Sequence, residues 1–348
     1  EQRLVRPPAA APPAPRARAP APPPPPRGRP GRPPRAAAGP PGPLLALPAA
    51  VAGCRLLGAD GVTPLPQLLA LLPWLALPAG LGLLLAALAR RRVLSFLAAL
   101  VLAGTAGASL PSAAPAAVAH GTPVARIRVI ASNVEFGQGT GSLIDLALRE
   151  RPQLLYVSEC DPACGRALAA ALSRQLPHRV AVEAEGSSGS VILSAYPLRD
   201  RSAVPAAMGM PGATAEIAGR EVRLQLAHPL PPVPGQVGRW KGELARLRAA
   251  VDARPAGETL LLAGDFNASQ DHAAFRAFSE GRPLLDAARA TGSSRTPTWP
   301  AEGPLPPFVQ IDHVLTSPDL TAVATRFLPV PGSDHRAVLA DLDLHDGR

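Results

Sequence analysis

The sequence ETLLLAGDFNAS occupies residues 258–269 and joins an apolar run to a carboxylate and an amide. The Leu-rich part is bounded by turn-forming residues and predicts a β-strand over 258–267. Asp265 and Asn267 stand at the end of this strand, where loops on a rigid scaffold often carry functional groups. An Asp or Asn after a strand is usually only a turn former. The chemistry of this pair therefore depends on what the neighbouring strands present.

Other apolar runs of strand length lie on both sides of this stretch. They occupy 126–133, 152–159, 189–195, 221–228, 311–317 and 336–344. Three intervening stretches place apolar residues at helical spacing and predict helices, at 141–151, 164–176 and 238–253. This alternation of strands and helices predicts an α/β domain over 126–348, in which helices cover sheets.

Polar side chains stand at or just beyond the ends of these runs. Besides Asp265 and Asn267, they are Asn133, Glu159, His228, Asp312, Asp334 and His335. Each has an ordinary structural explanation when it is considered alone, as a turn former or as a histidine packed in a core. Their order along the chain is what points to a shared site.

That order resembles the endonuclease/exonuclease/phosphatase family. The matching segments are SN at 132–133, SE at 158–159, HP at 228–229, GDFNAS at 264–269, IDHVLTS at 311–317 and GSDHRAV at 332–338. The resemblance implies a four-layer α/β sandwich, with two packed sheets flanked by helices. It also implies a hydrolase that acts on phosphoester bonds with the help of Mg²⁺ or Mn²⁺ bound at one edge of the sheets.

The resemblance also implies which residues bind the metal. Glu159 corresponds to the family's metal-binding glutamate, and Asn133 and Asp334 correspond to groups close to the metal. A few hard oxygen ligands, with water and substrate phosphate completing the shell, suit Mg²⁺ or Mn²⁺. Zinc is disfavoured because no Cys/His cluster has zinc-ligand spacing.

The catalytic roles come from the same correspondence. Asp265 would orient or deprotonate the attacking water, and Asn267 would position the phosphate together with the metal-site asparagine. His335 and His228 would donate hydrogen bonds to the phosphoryl oxygens. Asp312 would pair with His335, fixing its tautomer and favouring the imidazolium. The identity of the formal general base stays open.

Two pairings are left open by the residues themselves. Glu183 or Glu185 could pair with His228, but neither lies in a matched segment. Cys160 and Cys164 flank a turn just after the metal-binding glutamate, and an oxidising location would permit a disulfide between them. Free thiols are an equal alternative, since only a short turn separates the two residues.

The segment HPLPPVPGQVGRWKGEL, residues 228–244, is the expected substrate-facing loop. It offers Arg239, Trp240 and Lys241, which could meet a diphosphate or a nucleic-acid strand. These three residues are the predicted substrate-binding set.

The N-terminal part of the chain has a very different composition. Residues 1–43 contain 17 prolines and eight arginines against a single acid. Such a stretch cannot bury enough apolar surface to order itself, which predicts a disordered basic tail. Attraction to anionic lipid head groups is the alternative role.

The formal net charge of +9 is concentrated outside the predicted catalytic domain. The tail and residues 44–110 carry twelve basic residues and two acids, whereas residues 111–348 carry 23 basic and 24 acidic residues. Proteins that bind duplex nucleic acid draw much of their affinity from Lys and Arg contacts to phosphate. A near-neutral domain makes nucleic acid the less favoured partner.

Two uncharged stretches, 65–89 and 93–110, are long enough to cross about 30 Å of hydrocarbon. A weaker candidate at 44–59 contains Arg55. Three transmembrane helices place the arginine-rich tail and the triplet 90–92 on the cytoplasmic side, as the positive-inside rule prefers. The catalytic domain then lies outside the cytoplasmic membrane. Two spans with a cytoplasmic catalytic domain are the alternative.

Residues 111–125 are small, proline-bearing and without periodicity, which predicts a linker from the last span to the soluble domain. The three-span arrangement also resembles membrane-anchored actinobacterial family members linked to teicoplanin resistance. The expected protein is a multi-pass membrane phosphoesterase that cleaves a phosphate ester or pyrophosphate, with a lipid-linked substrate favoured and no protein partner evident. A membrane-tethered nuclease is the first alternative. A catalytically silent membrane adaptor is the second.

Overall fold

The computed structural model describes residues 42–110, 121–280 and 284–347. The predicted basic tail falls almost wholly outside these residues, as does most of the predicted linker. The helical N-terminal region contains α1 Gly42–Leu56, α2 Leu65–Ala70, α3 Ala76–Leu88 and α4 Arg92–Ser109, with a 3₁₀ segment at Leu72–Leu75.

The second predicted span, 65–89, is not one continuous helix. It consists of α2, the 3₁₀ segment and α3, and prolines at 66, 73 and 78 lie near the start of each piece. Proline has no N–H to donate and is tolerated in the first turn of a helix but not in its interior. Among the described residues, α4 is the one helix long and apolar enough to cross a membrane. The three-span arrangement stays a prediction.

Two mixed sheets follow, and their strands begin at Pro123, inside the predicted linker. The first sheet has the order β11-β12-β1-β2-β4-β3, from β1 Pro123–Asn133, β2 Leu154–Ser158, β3 His178–Val182, β4 Ser190–Ser194, β11 Leu320–Pro329 and β12 Arg336–His345. The second has the order β5-β6-β7-β8-β10-β9, from β5 Leu198–Ala203, β6 Pro211–Ile217, β7 Arg220–Ala227, β8 Thr259–Asp265, β9 Leu285–Asp286 and β10 Asp312–Thr316.

Helices cover the outer face of each sheet. They are α5 Thr140–Glu150 and α6 Pro162–Ala171 on the first sheet, and α7 Val237–Asp252, with the short α8 Ala273–Arg276, on the second; α9 is Ala287–Ala290. One apolar core lies between the sheets, where residues such as Val129 and Leu154 meet Leu224 and Leu261. Two further cores lie beneath the outer helices. The α/β sandwich of two packed sheets flanked by helices is confirmed.

The register of the central strands brings the strand ends together. Strands β1 and β2 are parallel, and so are β7 and β8, because α5 and α7 connect each pair by a crossover. Asn133 lies beside Ser158 at the end of the first pair, and Ala227 beside Gly264 at the end of the second. Strand β10 runs antiparallel to β8 and starts where β8 ends. Loops from both sheets therefore gather at one edge.

Candidate active site

Asp265 and Asp312 face each other directly across the β8–β10 pairing. The end of β8 is possible only with glycine at position 264, since a Cβ there would lie 2.3 Å from the Ala227 carbonyl oxygen and the residue has a φ of +142°. Glycine lets the parallel neighbour approach closely just before the Asp265 side chain. The local sequence GDFN thus positions one of the two buried carboxylates of the site.

His335 lies between these carboxylates. Its Nδ1 is 2.9 Å from Asp312 Oδ2, and its Nε2 is 3.8 Å from Asp265 Oδ2. Burial opposes the charged imidazole, but the negative charges of Asp312 and Asp265 outweigh it and raise the pKa of His335 to about 10. His335 is therefore an imidazolium at neutral pH. The structure brings together the predicted Asp312–His335 pair.

Asn133 joins the two sheets across the site. Its side-chain amide donates to Glu159 Oε1 at 3.1 Å and to Asp265 Oδ2 at 3.2 Å. Burial raises the pKa of Glu159, and burial raises the pKa of Asp265 to about 7 despite the opposing charge of His335. Both shifts arise mainly from burial, which disfavours the charged form of a carboxyl group, and the positive charge of His335 offsets only part of them.

His228 is fully buried beside this group. Among the described residues, neither of its ring nitrogens has a hydrogen-bond partner, and Nε2 is 3.9 Å from Glu159 Oε1. Burial, with a smaller effect from the charge of His335, lowers the pKa of His228 to about 3. The ring is neutral and has one N–H available for a ligand. Glu183 is exposed and pairs with Arg179, so it does not fill the role left open for it.

Asn267 links the loop that follows β8 to the segment that begins with His228. Its backbone N–H donates to Asp265 Oδ1 at 2.8 Å, and its side-chain amide donates to the Pro229 carbonyl at 3.0 Å. It has a φ of 48°, in the left-handed region that asparagine tolerates better than most residues. Glu159 has a φ of 55°. Non-glycine residues in this conformation cluster at functional sites.

Three further residues support the site, and none of them lies in a segment that matches the family. Glu135 Oε2 accepts from the backbone N–H of Asp334 at 2.7 Å. Trp299 Nε1 donates to Asp334 Oδ2 at 2.8 Å. The Phe136 backbone N–H donates to Glu159 Oε2 at 3.1 Å, while its ring is exposed. Proximity to the SN segment could have indicated the first and third, but the contact of Trp299 depends on the tertiary fold.

The predicted substrate-binding set is divided by the structure. Arg239 is exposed and donates to Gln236. Trp240 is fully buried against His272, with ring centroids 5.1 Å apart, so its predicted contact with substrate is wrong. Lys241 donates through Nζ to the Gly61 carbonyl at 2.9 Å. The reason is that α7 already begins at Val237, so successive side chains point around a helix rather than along a loop.

Cys160 and Cys164 are joined by a disulfide, which resolves the alternative left open by the sequence. The bridge closes the first turn of α6 immediately after Glu159. Asp161 caps the same turn by accepting from the Cys164 N–H at 2.8 Å. The bridge and the cap both restrain the backbone that carries the Glu159 carboxylate.

The donor set fits a divalent cation. Glu159 and the neighbouring Asp334 offer carboxylate oxygens, the hard ligands that Mg²⁺ and Mn²⁺ prefer. The predicted third ligand, Asn133, turns its amide nitrogen toward Glu159, while its Oδ1 accepts from the Glu135 N–H at 2.9 Å, so it lies beside the carboxylates without offering them a free oxygen. Asp265, Asp312 and His335 also present ligand atoms within 4.8 Å of one another.

A family model described as "Endonuclease/Exonuclease/phosphatase family" matches residues 130–335. The fold is similar to D. rerio TDP2 complexed with a single-strand DNA product, with a TM-score of 0.54, 13% identity and coverage of 63% of this chain and 99% of that one. It is also similar to an endonuclease/exonuclease/phosphatase from Beutenbergia cavernae, with a TM-score of 0.52, 21% identity and coverage of 63% and 72%. No curated protein matches the sequence.

Proposed function

The chain belongs to the endonuclease/exonuclease/phosphatase family, and from this premise we propose that it hydrolyses a phosphate ester or pyrophosphate with the help of Mg²⁺ or Mn²⁺. One observation carries the proposal. A buried imidazolium at His335, a neutral His228 with unpartnered ring nitrogens and the buried carboxyl groups of Glu159 and Asp265 share one edge of the sheets. Hydrogen-bond donors and metal ligands of this kind match the oxygens of a phosphoryl group.

The residues divide into three roles. Glu159 and Asp334 would hold the cation, with Asn133 orienting the Glu159 carboxylate, and the bound cation would neutralise charge on the phosphoryl oxygens. Asp265, with a pKa of about 7, is suited to orient the attacking water and accept its proton near neutral pH. His335 would donate a hydrogen bond from its charged ring to a phosphoryl oxygen.

Two other side chains complete the arrangement. His228 donates its single N–H to a phosphoryl oxygen, and Asn267 keeps the His228 segment close to the strand end through Pro229. Asp312 holds the Nδ1–H of His335 and leaves Nε2–H directed at the site. Both contacts are made within the protein itself, so the groups that would meet the phosphoryl oxygens are held in place by the fold.

We also propose that the protein is membrane-anchored, with its catalytic domain outside the cytoplasmic membrane and a lipid-linked substrate. Helix α3 exposes Leu77, Leu81, Leu84 and Leu88, and α4 exposes Val93, Phe96, Leu97 and Leu100. A run of exposed large apolar side chains on two adjacent helices is typical of a surface that contacts a membrane. The disulfide supports an oxidising location, because cytosolic thiols are kept reduced.

The proposal is tested with the full chain purified in detergent. Plasmid DNA, sphingomyelin, inositol phosphates and a polyprenyl pyrophosphate are compared with and without Mg²⁺. We expect Mg²⁺-dependent release of phosphate from the lipid-linked substrate, strongly reduced in Glu159→Gln at low Mg²⁺ and retained by the control Asp341→Asn, whose side chain pairs with Arg128 away from the site. DNA nicking above all other activities would instead identify a tethered nuclease. Inactivity on every substrate would favour the silent adaptor.

The location is tested separately. Ser173 is exposed beyond α6, so Ser173→Cys places a labelling site on the catalytic domain. In intact cells a membrane-impermeant maleimide should label this variant as strongly as it does after lysis. Labelling that requires lysis would place the domain in the cytoplasm.

A further inference from the structure

We propose that residues 55–74, here called the collar, form part of the catalytic unit and position its site loops, in addition to any role of this region in anchoring. The collar runs from the end of α1 to the 3₁₀ segment. It contacts each of three loops that carry or support the proposed active site. The catalytic readout below rests on the proposed function, whereas the structural readout does not.

The strongest contacts are made to the loop that follows β8. Asp60 accepts from the backbone N–H groups of Ala273 and Ala274 at 2.6 and 2.9 Å. His272 contacts the Pro66 carbonyl through Nε2 at 2.8 Å. Because the Ser269 N–H donates to Nδ1 of the same ring, Nε2 must carry the proton and donate to Pro66.

A buried charge network reinforces this attachment. The Asp271 carboxylate is completely buried and accepts from the two terminal guanidinium nitrogens of Arg295, at 2.6 and 2.9 Å. Arg55 of the collar approaches the same carboxylate at 3.2 Å. Arg276 completes the network by donating to the Asp271 and Arg55 carbonyls. A buried carboxylate needs such partners, so this end of the loop has little freedom while the collar is in place.

Only three residues separate Asn267 from Asp271 along the chain. The collar-bound half of the loop therefore continues directly into the half that carries Asp265 and Asn267. A displacement at Asp271 is transmitted through Ala268, Ser269 and Gln270, of which Ser269 is itself tied to the collar-bound His272.

Two more loops are held in the same way. Gln67 donates to the Pro232 carbonyl, in the segment that begins with His228, and Lys241 donates to Gly61 from the helix that follows. Trp74 donates through Nε1 to the Phe308 carbonyl at 2.9 Å. The Phe308 ring packs edge-on against Trp299, which donates to Asp334. The collar thus contacts the loops that support three site residues: His228, proposed to donate a hydrogen bond to the phosphate; Asp265, the proposed base; and Asp334, a proposed metal ligand.

The test uses the full chain in detergent and the variant Asp60→Ala, which removes both backbone caps and leaves every proposed site residue intact. The matched control is Asp319→Ala. Asp319 is a half-buried carboxylate, and it bonds Arg220 and Thr259 at the opposite end of β8 from Asp265. A chromogenic phosphodiester serves as a soluble substrate that does not depend on lipid binding.

We expect Asp60→Ala to lower kcat roughly 10- to 100-fold, with KM changed less than about twofold, because misplacement of catalytic groups acts on the reaction step more than on binding. Asp60→Asn keeps one acceptor oxygen and should recover part of the loss. Asp319→Ala should retain kcat. An equal loss in both alanine variants would indicate general destabilisation and overturn the proposal.

Amide hydrogen exchange gives the readout that needs no activity. In Asp60→Ala, exchange should accelerate by about tenfold at Ala273 and Ala274 and also across 265–269. Acceleration confined to Ala273 and Ala274, with unchanged exchange at 265–269 and unchanged kcat, would refute a positioning role. If the unmodified chain hydrolyses no phosphoester, the proposed function fails, and the spread of exchange into 265–269 still decides whether the collar holds the loop.

Discussion

Replacing Asp312 with asparagine tests the charge arrangement at the centre of the site. Asp312 Oδ2 is 2.9 Å from His335 Nδ1, both groups are buried, and Asp312 is the strongest of the charges that raise the pKa of His335 to about 10. Asparagine has nearly the same shape but no charge. We therefore expect the pKa of His335 to fall to about its ordinary value of 6.5 or below. At pH 8 the ring would then be charged in at most about 3% of the molecules.

Loss of a positioned acid typically costs about 10²- to 10⁴-fold in rate. We expect a decrease of this size in kcat at pH 8 for Asp312→Asn, measured with a chromogenic phosphodiester and saturating Mg²⁺. The sign of the pH dependence follows from the pKa: acid restores the imidazolium, so the ratio of wild-type to variant kcat should be smaller at pH 6 than at pH 8. Asparagine can also donate to Nδ1 and select the wrong tautomer, which keeps the recovery incomplete.

Asp341→Asn is the matched control, because it removes a carboxylate that pairs with Arg128 and contacts no proposed site residue. Urea unfolding verifies that both variants are folded. If Asp312→Asn retained kcat within about threefold of wild type at pH 8, the imidazolium would not be a catalytic donor, and the role of His335 would have to be reassigned.

Three further predictions concern the metal, the strand end and the disulfide. Glu159→Gln should raise the Mg²⁺ concentration needed for half-maximal activity by about tenfold or more, as measured by titration after chelation. Gly264→Ala should lower the free energy of unfolding by about 1–3 kcal/mol in urea melts, because its Cβ would lie 2.3 Å from a carbonyl oxygen; an unchanged midpoint would contradict the close approach. Replacing Cys160 and Cys164 together by serine should lower the free energy of unfolding by about 2 kcal/mol, because the bridge closes only a short loop. Thiol titration of the wild-type chain, denatured without a reductant, should detect only Cys54.

The central strands and the long helices could be predicted from sequence because their apolar residues are buried on a regular period. Strand β8, predicted over 258–267, spans Thr259–Asp265, and α7, predicted over 238–253, spans Val237–Asp252. Five strands of the described part of the chain were not predicted, and four of them, β3, β5, β9 and β11, are the edge strands of the two sheets. Their side chains are largely exposed or half-exposed, so they show no apolar run. The fifth, β6, is buried between its neighbours, but its sequence PGATAEI is mostly small residues and shows no strong apolar pattern. Their pairing is decided by a neighbouring strand rather than by their own sequence.

Local sequence determined which groups stand at strand ends. Periodicity and turn chemistry suffice to place Asp265, Asn267 and His335 at the ends of strands, because a buried strand followed by a polar loop depends on a few consecutive residues. That these residues share one site was implied by the resemblance of the GDFN and SDH motifs, in their order along the chain, to the family.

The tertiary structure alone decided which of those groups meet and what else touches them. Asn133 and Asp265 are 132 residues apart and share a hydrogen bond, and Arg55 reaches Asp271 across 216 residues. Trp240 lies on a helix that the sequence predicted, but only the folded chain shows that His272 covers its ring. Short-range patterns report the burial of a side chain, but they carry no information about which distant surface covers it. The attachment of the collar to the catalytic loop is therefore visible only in the folded chain.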